Sequence, residues 1–199
     1  MRHFRAAVDE ILEKAAQSIK RIDGIQITRL IDFLVEARNN NRKIFVIGAG
    51  RSGLVGRSFA MRLAQLNFNV YVVGETITPS LEKNDVLLAI SGSGETRIVL
   101  TSAKLAREVG AKIVAITSFA KSQLVSLCDH YVVLQGRTKI TENKHDFSRQ
   151  ILGIHEPFAP LGTIFEISSA IFLDSLIVEI MVRLNKTESE LTKRHATIE

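Results

Sequence analysis

Two short segments of this 199-residue chain carry the residue types of an anion cradle. One reads Ser91-Gly92-Ser93-Gly94-Glu95-Thr96. Its glycines let the backbone fold around an anion, Ser91, Ser93 and Thr96 supply hydroxyls, and the helical pattern that follows brings unpaired N–H groups. A helix cap at Ser93 would account for one serine, not for two glycines and a threonine beside it, so the pattern favours a phosphate monoester. Glu95 is a like charge next to any phosphate, and its carboxylate is expected to point away, toward sugar hydroxyls or another loop. The other segment, Gly48-Ala49-Gly50-Arg51-Ser52-Gly53, matches the G-x-G-x-x-G pattern of dinucleotide sites. Glu75 follows at the end of the next predicted strand, where an acid grips an adenine ribose. The same glycines serve any tight turn that brings backbone close to a phosphate, so this segment alone leaves both readings open.

Further along, Glu166 follows Pro160-Leu161-Gly162-Thr163 at a predicted helix start, among Ile164, Phe165 and Ile167. Apolar surroundings raise a carboxyl pKa and suit it to proton transfer. An acid in a first turn also complements the helix dipole, and position alone does not separate the two roles. His3, His130 and His155 have no partner at metal-binding spacing, so no metal is expected. A dehydrogenase would need a substrate domain beyond the ~150 residues of a nucleotide fold, so NAD is not expected.

These residues must be positioned by the elements around them. Short, continuously apolar runs rich in Val and Ile predict strands at Lys43 to Gly48, Asn69 to Val73, Asp85 to Ser91, Lys112 to Ser118 and His130 to Leu134. Such runs suit strands covered on both faces. Helical patterns between them, at Gly53 to Asn67, Thr96 to Gly110 and Ser122 to Cys128, predict right-handed crossovers and a doubly wound, five-stranded parallel sheet of flavodoxin-like α/β type. Two amphipathic helices, Phe4 to Ile22 and Ile27 to Asn39, precede the first strand. The stretch from Gln135 to Phe158 reads as a loop with one short helix at most. A long helix from Thr163 to Leu184 follows, apolar around most of its circumference, which predicts a subunit interface and a homodimer or homotetramer. The expected organisation is one domain over 1–199, with N-terminal helices in 1–40, a parallel core in 43–135, and the long helix and tail in 160–199.

Composition narrows the function classes. With 46% hydrophobic and 24% charged residues the chain is of globular type. Its 26 basic and 21 acidic residues give a net charge of +5, which suits an anionic substrate. The basic residues are scattered, with no recognisable nucleic-acid module, so nucleic acid is not expected as a partner. The most apolar stretch, Ile164 to Val182, contains Glu166, Asp174 and Glu179. At roughly 2.5–3.5 kcal/mol per central charge, these acids argue against a membrane span. A single cysteine and an acid-bearing N-terminus make the cytoplasm the default compartment.

With GAGRSGLVGRSFAMRL, NVYVVGETITP, AISGSGET, PLGTIFE and a terminal RHATIE, the chain resembles the sugar isomerase (SIS) domain family, and more narrowly its 6-phospho-3-hexuloisomerases. Thr197 stands where that last block more often has Asn, and residues 145–150 match no block. The resemblance implies reversible conversion of D-arabino-hex-3-ulose 6-phosphate into D-fructose 6-phosphate through an enediol, without metal or redox cofactor. It implies Glu166 as the base that moves the carbon-bound proton and His195 as the shuttle for hydroxyl protons, in its own or a neighbouring subunit. Ser91, Gly92, Ser93, Gly94 and Thr96 would hold the phosphate. Ser52 and Arg51 are candidates for the sugar or its phosphate, with an interface role as the alternative for Arg51. Glu75, Thr76 and Thr78 would shape the same side. Another aldose–ketose phosphosugar isomerase is the nearest alternative. A non-catalytic phosphosugar sensor is the other, although 199 residues leave no room for a fused DNA-binding module.

Overall fold

The computed structural model describes residues 1–136 and 158–192. The described elements, numbered in chain order, are α1 (Arg2–Lys20), α2 (Gly24–Asn39), β1 (Ile44–Gly48), α3 (Arg51–Gln65), β2 (Val70–Val72), β3 (Val86–Ile90), α4 (Arg97–Val109), β4 (Lys112–Thr117), α5 (Gln123–Leu127), β5 (His130–Val133), α6 (Thr163–Arg183) and α7 (Glu188–Thr192). All strand pairings are parallel, in the order β2-β1-β3-β4-β5, so the predicted doubly wound α/β sheet of flavodoxin-like order is what forms.

Each central strand sends alternate side chains to opposite faces. Val46, Leu88 and Val114 join one core with Leu30 and Leu34 of α2, Phe59 and Leu63 of α3, and Phe172 and Leu176 of α6. Phe45, Leu87 and Ile113 join the other with Val99, Ala103 and Ala106 of α4 and Leu124 of α5. Both faces of β3 are fully buried, which is why its sequence is continuously apolar rather than alternating. Asp85, buried just before β3, accepts from the N–H groups of Lys43 and Glu82 at 2.9 Å each and ties the strand starts together.

The sheet edges are closed in different ways. At β5, Gln26 of α2 accepts from Val133 N at 2.9 Å through its side chain, and its carbonyl lies 2.8 Å from the His130 ring. His130 also stacks on Phe33, so it is a core residue. At the other end β2 is only three residues long, which limits the edge it offers.

The long helix α6 packs on α1, α2 and α3. Much of the apolar girth that predicts an interface is therefore covered by the chain's own helices, because the N-terminal pair adds a layer beyond the sheet. Ile171, Val178 and Val182 remain exposed along its outer side. The short helix α7 lies where the sequence reading has only a tail. Its start carries the Glu190 half of a capping box: Thr187 N donates to Glu190 Oε2 at 2.9 Å, and Lys186 Nζ donates to Glu190 Oε1 at 2.6 Å.

Candidate active site

In an open parallel sheet, the loops leaving two neighbouring strands toward opposite faces open a crevice at the strands' carboxyl ends. Here those strands are β1 and β3, paired in register from Ile44↔Val86 to Gly48↔Ile90. The two segments singled out by sequence therefore begin side by side: GAGRSG turns into α3 on one face, and SGSGET turns into α4 on the other.

The first turn is built around its glycines. A Cβ on Gly48 would lie 2.8 Å from Gly53 N, and one on Gly53 would lie 2.8 Å from Gly48 O, so strand end and helix start touch through backbone. Gly50, the N-cap of α3, has φ +56°. Arg51 and Ser52 are the first two residues of the helix, and so project from the turn at the crevice. Glu75 is met by Arg57 of α3 at 2.9 Å, and the Thr78 hydroxyl donates to Val72 O at 2.7 Å. The acid in the ribose-gripping position thus has an internal partner.

The second turn is braced from within. Ser91, buried, lies 3.0 Å from the Thr96 hydroxyl, and its Oγ accepts from Gly94 N at 3.2 Å. Ser93 Oγ accepts from Glu95 N at 3.2 Å. The N-cap of α4 is Thr96, whose side chain makes no capping bond, so Ser93 does not act as the cap. Gly92 O accepts from Ser118 N at 3.0 Å, fastening the turn to the end of β4. Glu95 turns away from the cradle, as expected of a like charge, and its Oε1 accepts from Gln123 N at 2.8 Å at the start of α5.

Glu166 arrives from the far end of the chain. Gly162, the N-cap of α6, has φ +88°, and Glu166 N closes the first helical bond to its carbonyl at 3.0 Å. The carboxyl folds back over this start, because a Cβ on Gly162 would stand 3.2 Å from Glu166 Oε1. Arg51 Nε lies 2.5 Å from Glu166 Oε2, yet that oxygen is buried and has no aligned hydrogen-bond donor among the described residues, so the contact is one of charge rather than a directed bond. Burial pushes the Glu166 carboxyl above its ordinary range, and the Arg51 guanidinium opposes that shift.

Arg51 is thus joined to Glu166 across 115 residues of sequence, and Arg51 leaves the same turn that neighbours Ser91–Thr96. His195, His155 and the 145–150 segment lie outside the described residues. Three hydroxyls escaped the sequence reading: those of Thr163, Ser168 and Ser169 on α6 are buried without a partner among the described residues. For Thr163 a signal was present in PLGT, next to the acid; for the serines nothing in their spacing singled them out.

No helix among the described residues is long and apolar enough to cross a membrane. Residues 38–145 match the SIS domain family. A Methanocaldococcus jannaschii protein named 3-hexulose-6-phosphate isomerase is 44% identical over 87% of this chain and 84% of its own length. One of the same name from Bacillus subtilis is 31% identical over 96% of this chain and 97% of its own. The crystal structure of a Methanococcus jannaschii protein, from which a 3-hexulose-6-phosphate isomerase function was inferred, superimposes with a TM-score of 0.76 at 38% identity, covering 100% of both chains. The matched stretch includes the glycine turn and the SGSGET loop, and the chain belongs to the SIS domain family, with relatives named 3-hexulose-6-phosphate isomerase.

Proposed function

We infer that this protein, acting as one SIS domain over 1–199, is an isomerase that interconverts D-arabino-hex-3-ulose 6-phosphate and D-fructose 6-phosphate. The observation that carries the reading is the half-buried Glu166 carboxylate set against Arg51 at the crevice between β1 and β3. The relatives named 3-hexulose-6-phosphate isomerase support the choice of sugar.

Ser93, Gly92, Gly94 and the first turn of α4 receive the phosphate, while Ser91 and Thr96 brace the loop that holds it and offer their hydroxyls at its base. Ser52 and Arg51 reach the sugar from the opposite turn. Glu166 removes the proton on C2, an enediol forms across C2 and C3, and the proton returns to C3 as the carbonyl moves to C2. Burial raises the Glu166 pKa against the opposing Arg51 charge, so this carboxylate takes up a proton more readily than an ordinary surface acid. His195 carries the hydroxyl protons. The reaction takes place in the cytoplasm, within a homodimer or homotetramer joined through the outer side of α6. This chemistry requires neither metal nor redox cofactor, and nucleic acid is no partner.

Incubation with a panel of ketose and aldose phosphates, with product sugars resolved chromatographically, tests the reading. Conversion of fructose 6-phosphate to the 3-hexulose is the expected result. Conversion of a different sugar phosphate points to another aldose–ketose isomerase, and binding without conversion points to a sensor. Saturable micromolar NAD binding with no response to sugar phosphates would refute the reading outright.

A further inference from the structure

Glu166 shares the start of α6 with a hydroxyl that has no partner among the described residues. Thr163 is 5% exposed, and its Oγ1 is buried without a hydrogen bond, as is Glu166 Oε2 one turn further on. Residues three apart on a helix are surface neighbours, with Cβ atoms ~5–6 Å apart. The Glu166 carboxyl also folds back over Gly162, the residue that precedes Thr163. Carboxylate and hydroxyl therefore both sit at the N-terminal end of α6 without bonding each other, where free N–H groups and the helix dipole favour negative charge. A buried hydroxyl without a partner destabilises the fold, whereas valine would fill nearly the same volume without that cost. A partner that arrives only with the substrate accounts for its presence.

We propose that Thr163 is a catalytic residue whose hydroxyl donates to the ketone oxygen of the sugar while Glu166 takes the proton from the adjoining carbon, an inference that rests on the isomerase reading above. In that step the C–H electron pair becomes the C2=C3 bond. The carbonyl π pair moves onto oxygen as an enediolate, and the proton resides on Glu166 until it is returned to the other carbon. Negative charge on that oxygen develops only on the way to the transition state, so a donor aimed at it accelerates the reaction more than it tightens binding. A hydroxyl rotates freely about its C–O bond, which lets the same donor follow the charge whether the ketone starts at C3 or at C2.

The test compares Thr163→Val, Thr163→Ser and Glu166→Gln in the full chain, measuring kcat, KM and Tm with fructose 6-phosphate. Thr163→Val is expected to lose about 10²-fold in kcat, with KM little changed and Tm equal to or above that of the parent. Thr163→Ser is expected to keep most of the activity. A Val variant with parental kcat overturns the inference. So does a loss of kcat that tracks a fall in Tm and is not rescued by Ser. If the parent protein shows no isomerisation, the isomerase reading fails at that point, before any variant is compared. If Glu166→Gln is inactive while the Val variant is unimpaired, the role of Thr163 fails alone.

Discussion

Gly94 holds the SGSGET loop in a shape that favours glycine, and Gly94→Ala is predicted to destabilise the protein through two separable terms. Its φ of +66° is left-handed, which for an L-residue costs roughly 1–2 kcal/mol. Its missing Cβ would also fall 2.2 Å from Ser122 Oγ and 2.4 Å from Ser122 Cβ, more than 1 Å inside normal contact. Overpacking of this kind costs about 1–3 kcal/mol. Ser122 cannot simply retreat, since it caps α5 by accepting from Val125 N, and Leu124 N is bonded to Gly94 O at 3.1 Å. The two terms sum to about 2–5 kcal/mol, or a fall in Tm of roughly 4–20 °C at ~2–4 °C per kcal/mol for a chain of this size. Replacing Ser122 by Gly in the same chain removes both clashing atoms at a capping cost of only a few tenths of a kcal/mol. Gly94→Ala/Ser122→Gly should therefore recover about 1–3 kcal/mol, the clash term, and leave the left-handed term in place. Thermal melts of the parent, both single variants and the double variant close this cycle, and KM for sugar phosphate in the single Gly94 variant should rise with the distorted loop. A Gly94→Ala protein melting with the parent, or a double variant melting no higher than Gly94→Ala, would refute the reasoning.

Four further outcomes are expected. Glu166→Gln should lose 10²- to 10⁴-fold in kcat while still binding fructose 6-phosphate, and should fail to exchange the sugar's C–H in deuterated water; unimpaired exchange would dismiss Glu166 as the base. Arg51→Met removes the charge that opposes burial, so the acid limb of the kcat/KM profile should move to higher pH, with Arg51→Lys in between; a limb that stays put would show that Arg51 does not act on Glu166. Since the Glu166 pKa is raised in the folded protein, its stability contribution is present below the ordinary carboxylate range and lost as pH rises through the raised value. Glu166→Gln should thus melt at or above the parent at neutral pH. Light scattering should give a multiple of the 22.1 kDa chain, two or four, and a monomer at working concentration would contradict the interface assigned to α6.

Much of the framework was legible because local composition reports local burial. A run such as Val86-Leu87-Leu88-Ala89-Ile90 has no polar face, so it had to be a strand covered on both sides, and it is. Asp23 capping α2 and the Thr187–Glu190 pair at α7 were equally local signals, passed over because polar stretches also read as loop. The loop residues were legible for another reason. Gly48, Gly53 and Gly94 stand where backbone or a neighbouring side chain occupies the space of a Cβ, and only glycine satisfies that demand.

Local sequence thus settled the five strands and every described helix but α7, the parallel winding, and the two turns whose composition suits a phosphate. The tertiary structure alone decided that Arg51 meets Glu166, that Glu95 leaves the cradle for the start of α5, and that α1, α2 and α3 cover most of α6. It also left the Thr163 hydroxyl buried, one helical turn from the acid, without a partner among the described residues. The division follows from range. Periodicity and propensity act within one turn or one strand, so they are written in neighbouring residues. Charge pairing, burial of a lone hydroxyl and the covering of a helix face depend on which elements pack together, and that is settled only when residues more than a hundred positions apart compete for the same space.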